Sequence, residues 1–485
     1  MATLLRPRAL DARIPRSLVD VTPTKAQRRV IEGNARAMLV LGDAGHGKTT
    51  LALLVLAERW RRSRGRFRGL VVVPTDGLRV MIEDALAELG VPREAARVRT
   101  YDRWALWAAR RAFPDLPRRT GRDATPATLR LKRDPAIAQA VGAIAARPPG
   151  RIDDDEDRPD AMTPACAQWG DLQHLFGDEA LLAEVVERSR ARVPRHAIAE
   201  TIAHTKVQFS LRTEVAWSHV IDRARLDAVD GARLDAGTPT ADAGSLDAED
   251  CAVLFAIDRT RAQRLGLPPV RPRRVDCLVL DEAQELAEIE LGLLARCVRP
   301  GGTLVVAGDA DQHLTETTSF VGWTAAMRAL GAEDHQVVQL DHGFRCPPAV
   351  VSAARAARDG WALDDTPIGD EVLRLRGLPD VARWLDDASS QLREHDPKAT
   401  LAVLCRDDAE IRTLAAAMSL PVPVACDGRF PKRGAVLARL DQVRGLEFDF
   451  VVIPALERYD DTPAARRALY VAMTRTRHQL ALIGR

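Results

Sequence analysis

Residues 42–49 read GDAGHGKT and fill every fixed position of the phosphate-binding pattern GxxxxGK[ST]. The residues before it, AMLVL (Ala37–Leu41), form a strand-length apolar run, and residues 50–59 have the apolar spacing of a helix. A strand, a glycine-rich loop and a helix in that order constrain the fold more than any other feature of the chain. The order demands a sheet strand whose C-terminal end delivers a helix N-terminus. The loop Gly42, Asp43, Ala44, Gly45, His46, Gly47, with Lys48, Thr49 and Thr50 opening the helix, then turns consecutive backbone N–H groups toward a polyphosphate. Lys48 adds a point charge for the β- and γ-phosphates, and Thr49 supplies a hydroxyl to Mg²⁺. The expected ligands are ATP and Mg²⁺.

The chain's 485 residues leave room for about three domains. Its apolar runs are strand-length and interrupted by charge, so no membrane span is expected. The first residues, MATLLRPRALDARIPRS, have arginines but no apolar signal core, which argues against export. Cysteines 166, 251, 277, 297, 346, 405 and 426 are odd in number and never form CxxC. That pattern fits a reduced, cytoplasmic protein without structural zinc. The formal net charge of +2 conceals an asymmetry. Residues 1–113 hold 22 Lys/Arg against 11 Asp/Glu, and the remainder holds 48 against 57. The densest basic stretch is RWRRSRGRFR (residues 59–68). It reads either as a solvated helix end, where arginine complements the dipole, or as a nucleic-acid or partner patch with Trp60 and Phe67 interleaved.

Further buried-type strands are expected at residues 70–73, 275–280, 304–307, 337–340, 401–405, 450–453 and 480–483. Helical patterns separate most of them, which means parallel sheets covered on both faces. Between residues 114 and 269 the rhythm stops and the sequence reads as a mostly helical insertion. It includes an acidic loop at residues 153–160 and a Gly/Asp/Thr-rich stretch at residues 227–245. The second chemical landmark is VDCLVLDEAQ (residues 275–284), a strand that delivers adjacent carboxylates. Asp281 is placed to hold Mg²⁺, and Glu282 to take a proton from the water attacking the γ-phosphate. Polar groups also follow other strands: GDADQ at residues 308–312, Phe344-Arg345, RGLEF at residues 444–448, and a short helix LYVAMTRTR at residues 469–477.

This row of motifs resembles the superfamily 1 helicases of the UvrD/Rep/PcrA type, from about Thr24 to Arg485. Gln27 in PTKAQRRVIEG is similar to that family's adenine-reading glutamine. VVPTD, RTYDRW, DEAQ, GDADQ, DHGFRCP, VRGLEFD and YVAMTRTR resemble its later motifs in order. The resemblance implies that Gln312 senses the γ-phosphate and that Phe344 stacks on adenine in place of the usual tyrosine. It also implies that Arg345 and Arg475 act as arginine fingers, that Glu447 contacts the ribose, and that Thr75, Thr100, Tyr101 and Arg444 lie along a nucleic-acid track. Departures from the family pattern are Arg444 for its lysine, Asp441 for its histidine, and HLTETTSFVGW after Gln312. In that last run Phe320 and Trp323 are either shifted base-stacking rings or core residues.

LAVLCR (residues 401–406) is followed closely by VRGLEFD, so the family's 2B insertion is expected to be missing. The compact form, LKRDP (residues 131–135) and the ending LYVAMTRTRHQLALI resemble HelD-type factors that strip RNA polymerase from DNA, here without their N-terminal arm. The helicase-like subunit GajB of a phage-defence system is another compact relative.

The expectation is α/β: two RecA-like doubly wound parallel-sheet domains with a helical insertion in the first. Residues 1–113 and 270–340 form domain 1A, residues 114–269 the insertion 1B, and residues 341–485 domain 2A. The leading expected activity is ATP-driven movement on single-stranded nucleic acid, DNA by family habit. The alternatives are an ATP-dependent remodeller of RNA polymerase or another nucleoprotein complex, and a helicase-like ATPase that works with a nuclease subunit in phage defence.

Overall fold

The computed structural model describes Val19 and residues 22–63, 65–121, 124–148, 167–210, 243–341, 343, 346–360, 370–378, 380–425, 430–431 and 433–484. The acidic loop at residues 153–160, most of the stretch at residues 227–245, Cys166, Cys426, Phe344 and Arg345 lie outside the described residues.

The first sheet is six-stranded and parallel in the order β3-β2-β6-β7-β1-β8. Its strands are β1 (Ala37–Leu41), β2 (Gly69–Val73), β3 (Ala96–Thr100), β6 (Val275–Leu280), β7 (Val298–Gly308) and β8 (Gln336–Gln339). Strand β2 is buried along its length and β6 and β7 over their C-terminal parts, which is why those parts read as unbroken apolar runs. The phosphate-loop strand and the Asp-Glu strand are not neighbours, because β7 lies between them. Leu41 pairs with Gly308 and Leu280 with Val306, so the three C-terminal ends meet at one edge. The second sheet is five-stranded and parallel: β11 (Gly434–Arg439), β10 (Thr400–Cys405), β12 (Phe448–Ile453), β13 (Thr476–Gly484) and β9 (Val372–Arg376) in spatial order. A two-residue pair, β4 (Arg119–Thr120) with β5 (Ser245–Leu246), ties the two ends of the helical stretch together.

Besides the short β4 and β5, three strands of the two large sheets escape the apolar-run reading: β3 (ARVRT), β9 (VLRLR) and β11 (GAVLAR). Each sits at a sheet edge. There only part of the strand is covered, and arginines alternate with or end the apolar residues.

Apolar packing runs through three clusters. One joins a face of the first sheet, with the helices Lys48–Arg62 and Asp76–Glu88, to a face of the second, so Val40, Leu78, Leu446, Phe448 and Tyr470 share a core. A second covers the opposite face of the first sheet. There Leu278, Leu304 and Val306 pack with Leu131, Leu172, Leu182 and Phe255 from the helical stretch. The described helices of that stretch therefore share one core with the sheet. The third fills the outer face of the second sheet under the helices Val381–His395 and Asp408–Ala417. No helix among the described residues is long and apolar enough to cross a membrane. Cys251, Cys277, Cys297, Cys346 and Cys405 are free and buried.

The basic stretch after the phosphate loop is more structural than its charge suggests. The helix runs to Arg62, and Arg61 and Arg62 both pair with Glu58. Arg59 donates to the Ile31 carbonyl and to Thr303 Oγ1. Phe67 is buried, and Trp60, partly buried, packs against the first cluster. Phe320 and Trp323 meet edge to face at 4.8 Å and, partly buried, pack against the second cluster.

Candidate active site

The phosphate loop needs its glycines. Gly45 and Gly47 have φ of 74° and 81°, and Gly47 is the left-handed N-cap of the helix Lys48–Arg62. A Cβ on Gly42 would lie 2.8 Å from the Leu340 carbonyl. His46 Nδ1–H donates to that carbonyl at 2.6 Å, so the loop is fastened to the end of β8. Ala44 and Thr50 are buried. Lys48 is buried too, and its ammonium donates to the carbonyls of Gly42 (2.7 Å) and Asp43 (3.0 Å) and lies 3.8 Å from Asp309.

Thr49 Oγ1 donates to Asp281, 2.9 Å from Oδ2 and 3.1 Å from Oδ1. Burial, with the charge of Glu282 beside it, pushes the Asp281 carboxyl up to about 7. A desolvated carboxylate touching a hydroxyl, with a second acid adjacent, suits a divalent cation that neutralises it. Thr49 and Asp281 are the residues that would hold Mg²⁺. Glu282 has φ 52°, the left-handed region that a non-glycine residue enters at a cost. Its carboxylate accepts from Gln284 Nε2 at 2.7 Å.

A chain of hydrogen bonds then crosses between the sheets. Gln284 Oε1 accepts from the Asp309 N–H at 3.1 Å, and Asp309 Oδ2 accepts from Gln312 Nε2 at 2.7 Å. Gln312 Oε1 in turn accepts from the Arg475 guanidinium. Gly308 must be glycine for this, since a Cβ would meet Gln284 Oε1 at 2.3 Å and the Trp323 ring at 2.4 Å. Arg475 is buried and lies in the turn between the helix Pro463–Met473 and β13. The helix expected over residues 469–477 therefore starts earlier and ends before its arginines.

Two further cross-sheet pairs were not foreseen. The helix Pro348–Asp359 presents Arg355 to Asp43 of the phosphate loop and Arg358 to Asp311, the latter at 2.5 Å. Burial raises the Asp43 carboxyl, but Arg355, His46 and Lys48 outweigh it and hold the group below its usual range. The signal was present as arginines three apart on a helix after DHGFRCP. Sequence alone could not say which loop that helix would face.

The remaining expected residues fare unequally. Gln27 closes a capping box with Thr24 at the start of the helix Lys25–Glu32, its Oε1 accepting from the Thr24 N–H at 2.9 Å. Glu447 pairs with Arg477 at 3.3 Å. Thr75 caps the helix Asp76–Glu88 and donates to the Arg444 carbonyl at 3.3 Å. Arg444 is held by Glu285 (2.9 Å) and Thr315 (2.6 Å). Tyr101, expected along a nucleic-acid track, lies inside the protein. Its ring is 5% exposed, inside the second core cluster, because it opens a helix whose apolar face packs on the sheet. It does not line an open track. Thr100 precedes it, half-buried, on the wall of a cleft of about 1350 Å³.

Two family models match parts of the chain. The DEAD/DEAH box helicase model matches residues 24–108, and the UvrD-like helicase C-terminal domain matches residues 438–483. No curated protein matches. Among solved structures, the C-terminal domain of a possible DNA helicase from Lactobacillus plantarum WCFS1 is similar at 19% identity. The likeness covers 29% of this chain and 86% of that one, with a TM-score of 0.23. Helicase-family sequence thus lies toward both ends of the chain, one segment holding the phosphate loop and the other holding Arg444, Glu447 and Arg475.

Proposed function

We propose that the chain is a compact superfamily 1 motor that hydrolyses ATP between its two parallel sheets. On this reading residues 1–113 with 270–340 form the ATP-binding domain, residues 114–269 its insertion, and residues 341–485 the second domain. The observation that carries it is the buried Arg475–Gln312 hydrogen bond. It brings a cation from the second sheet to the strand ends that hold Lys48, Asp281 and Glu282.

In the proposed chemistry Lys48 and the loop N–H groups orient the triphosphate. Glu282 accepts the proton of the attacking water, oriented by Gln284. Arg475 and Arg345 neutralise charge that develops on the transferred phosphoryl group. Mg²⁺ held at Thr49 and Asp281 supplies charge neutralisation there. Gln312, linked to Asp309 on one side and Arg475 on the other, couples nucleotide state to closure of the two sheets.

For the object moved, the first reading is single-stranded DNA, supported by the order of the motifs. It is tested by ATP turnover with and without oligothymidylate. Stimulation of several-fold that declines steeply with salt is expected, and turnover that no oligonucleotide alters would reject it. The second reading, ATP-dependent remodelling of RNA polymerase or another nucleoprotein complex, is favoured by a specific observation. Tyr101 is buried, Arg444 is already ion-paired and Thr75 caps a helix, so three of the four track residues are engaged within the protein.

A further inference from the structure

A groove of about 580 Å³ is lined by Arg99 of the edge strand β3, by the helix Tyr101–Ala112 and by Thr120. Its volume falls within the roughly 300–1,000 Å³ of ligand sites. Four of its lining residues are arginines, Arg99, Arg103, Arg110 and Arg111, and among the described residues none is Asp or Glu. The guanidinium groups of Arg99 and Arg111 are exposed and have no hydrogen bond or ion pair among the described residues. Arg110 donates to neutral oxygens, the Pro117 carbonyl at 3.0 Å, the Arg119 carbonyl at 2.8 Å and Thr120 Oγ1 at 3.0 Å, so it meets no carboxylate there. Arg103 lies 2.9 Å from Asp76, but Asp76 also serves Arg79.

The same groove holds Trp107, which is 42% exposed and is the one exposed aromatic ring among the described residues. The helix turns Trp104 and Ala108 into the second core cluster and Trp107 out to solvent. Arg103, Trp107 and Arg111 recur every four residues, so they share one helix face. A base offers its flat face to such a ring, and its backbone offers phosphates to the guanidinium groups. A duplex keeps its bases stacked inside, so an unpaired strand suits both. An acidic peptide would answer the charges and leave the ring without a stacking partner. The groove also shares Arg103, Leu106 and Thr120 with the cleft that Thr100 lines. It therefore continues from the expected track residue that is not engaged elsewhere in the protein.

We propose that this groove binds single-stranded DNA, with a base stacked on Trp107 and phosphates held by Arg99 and Arg111. The proposal deepens the first reading above and rests on it. Tyr101, Thr75 and Arg444 are engaged within the protein, and the groove supplies strand contacts in their place from the outward face of the helix that Tyr101 opens.

The test uses the full chain and a fluorescein-labelled 20-nucleotide oligothymidylate, read by fluorescence anisotropy across a salt series. Trp107→Ala is expected to weaken binding about tenfold, through the loss of one stacked base, with the salt dependence unchanged. Trp107→Phe keeps a ring and should stay within a few-fold of wild type. Arg99→Gln/Arg111→Gln should weaken binding and lower the slope of log affinity against log salt by about 1.4, the share of two phosphates on a single strand. Arg195→Gln/Arg412→Gln removes the same charge from exposed positions outside the groove and should change little. Equal weakening by the two arginine pairs, or unchanged binding by Trp107→Ala, would overturn the proposal. So would a labelled octaglutamate peptide that binds more tightly than the oligonucleotide and loses affinity in Arg99→Gln/Arg111→Gln, because the occupant would then be an acidic polypeptide. Tighter binding of an oligouridylate of equal length would overturn the assignment to DNA. ATP turnover with and without the oligothymidylate separates this proposal from the first reading. Stimulated turnover, with binding that the groove variants leave unchanged, overturns the groove alone. Groove-dependent binding without stimulation defeats the motor reading and leaves the groove standing.

Discussion

Arg475 of the second sheet donates to the side-chain carbonyl of Gln312, which follows β7 of the first. Both side chains are buried. The same glutamine donates to Asp309, which lies 3.8 Å from the Lys48 ammonium. Two motifs far apart in sequence therefore meet in one network with the phosphate loop, and that network gives the first test. Arg475→Ala is expected to lower ATP turnover by roughly 10³-fold or more, by the arginine-finger precedent. Nucleotide affinity, measured with a fluorescent ATP analogue, should change far less. Full turnover in the variant would mean that the site is not completed across the two sheets.

Glu282 and Lys48 should separate binding from chemistry. Glu282→Gln removes the proton acceptor but leaves the loop and the Thr49–Asp281 contact, so nucleotide should bind while hydrolysis slows by roughly 10²–10⁴-fold. Lys48→Ala should weaken nucleotide positioning and turnover together. Single-turnover hydrolysis beside equilibrium binding distinguishes them. A Glu282→Gln enzyme within about tenfold of wild type would remove that residue from the chemistry.

The Arg355–Asp43 pair offers a softer effect, because Arg355 is half exposed. Arg355→Ala is expected to raise the KM for ATP a few-fold with little change in kcat. The difference should fade between low and high salt, since the coupling of an exposed pair is about 1 kcal/mol or less and is screened. A double-mutant cycle with Asp43→Ala measures the coupling directly. Additive effects would show that the pair contributes nothing to nucleotide binding.

Asp102 predicts a pH dependence. Crowding by its surroundings, with the charges of Glu290 and Asp76, outweighs Arg133 and raises its carboxyl above the usual value, so the folded protein holds that proton more tightly than the unfolded chain does. The stability it contributes is present at low pH and is lost as pH rises through the folded value. The side chain is exposed, and solvent screens the effect. Asp102→Asn should therefore gain slightly on wild type in melting temperature as pH rises from 4 to 8, by about 1 °C or less. A difference that falls with pH would contradict the raised carboxyl.

The sequence by itself determined the chemistry that depends on neighbours along the chain. GDAGHGKT, with a strand before it and a helix after it, requires a particular local backbone, and the glycines at 45 and 47 take the positive φ that the loop demands. The Asp281–Glu282 pair was legible for the same reason, as were the central strands, whose burial on both faces leaves an unbroken apolar run. The edge strands β3, β9 and β11 were not legible, because incomplete burial lets arginine into them. Tertiary structure alone decided which distant groups meet. Tyr101 and Trp323 look the same in sequence whether they stack on a base or fill a core, and packing over the first sheet buries Tyr101 and leaves Trp323 partly covered against Phe320. Arg355 and Arg358 gain their partners only when the second sheet is set against the first.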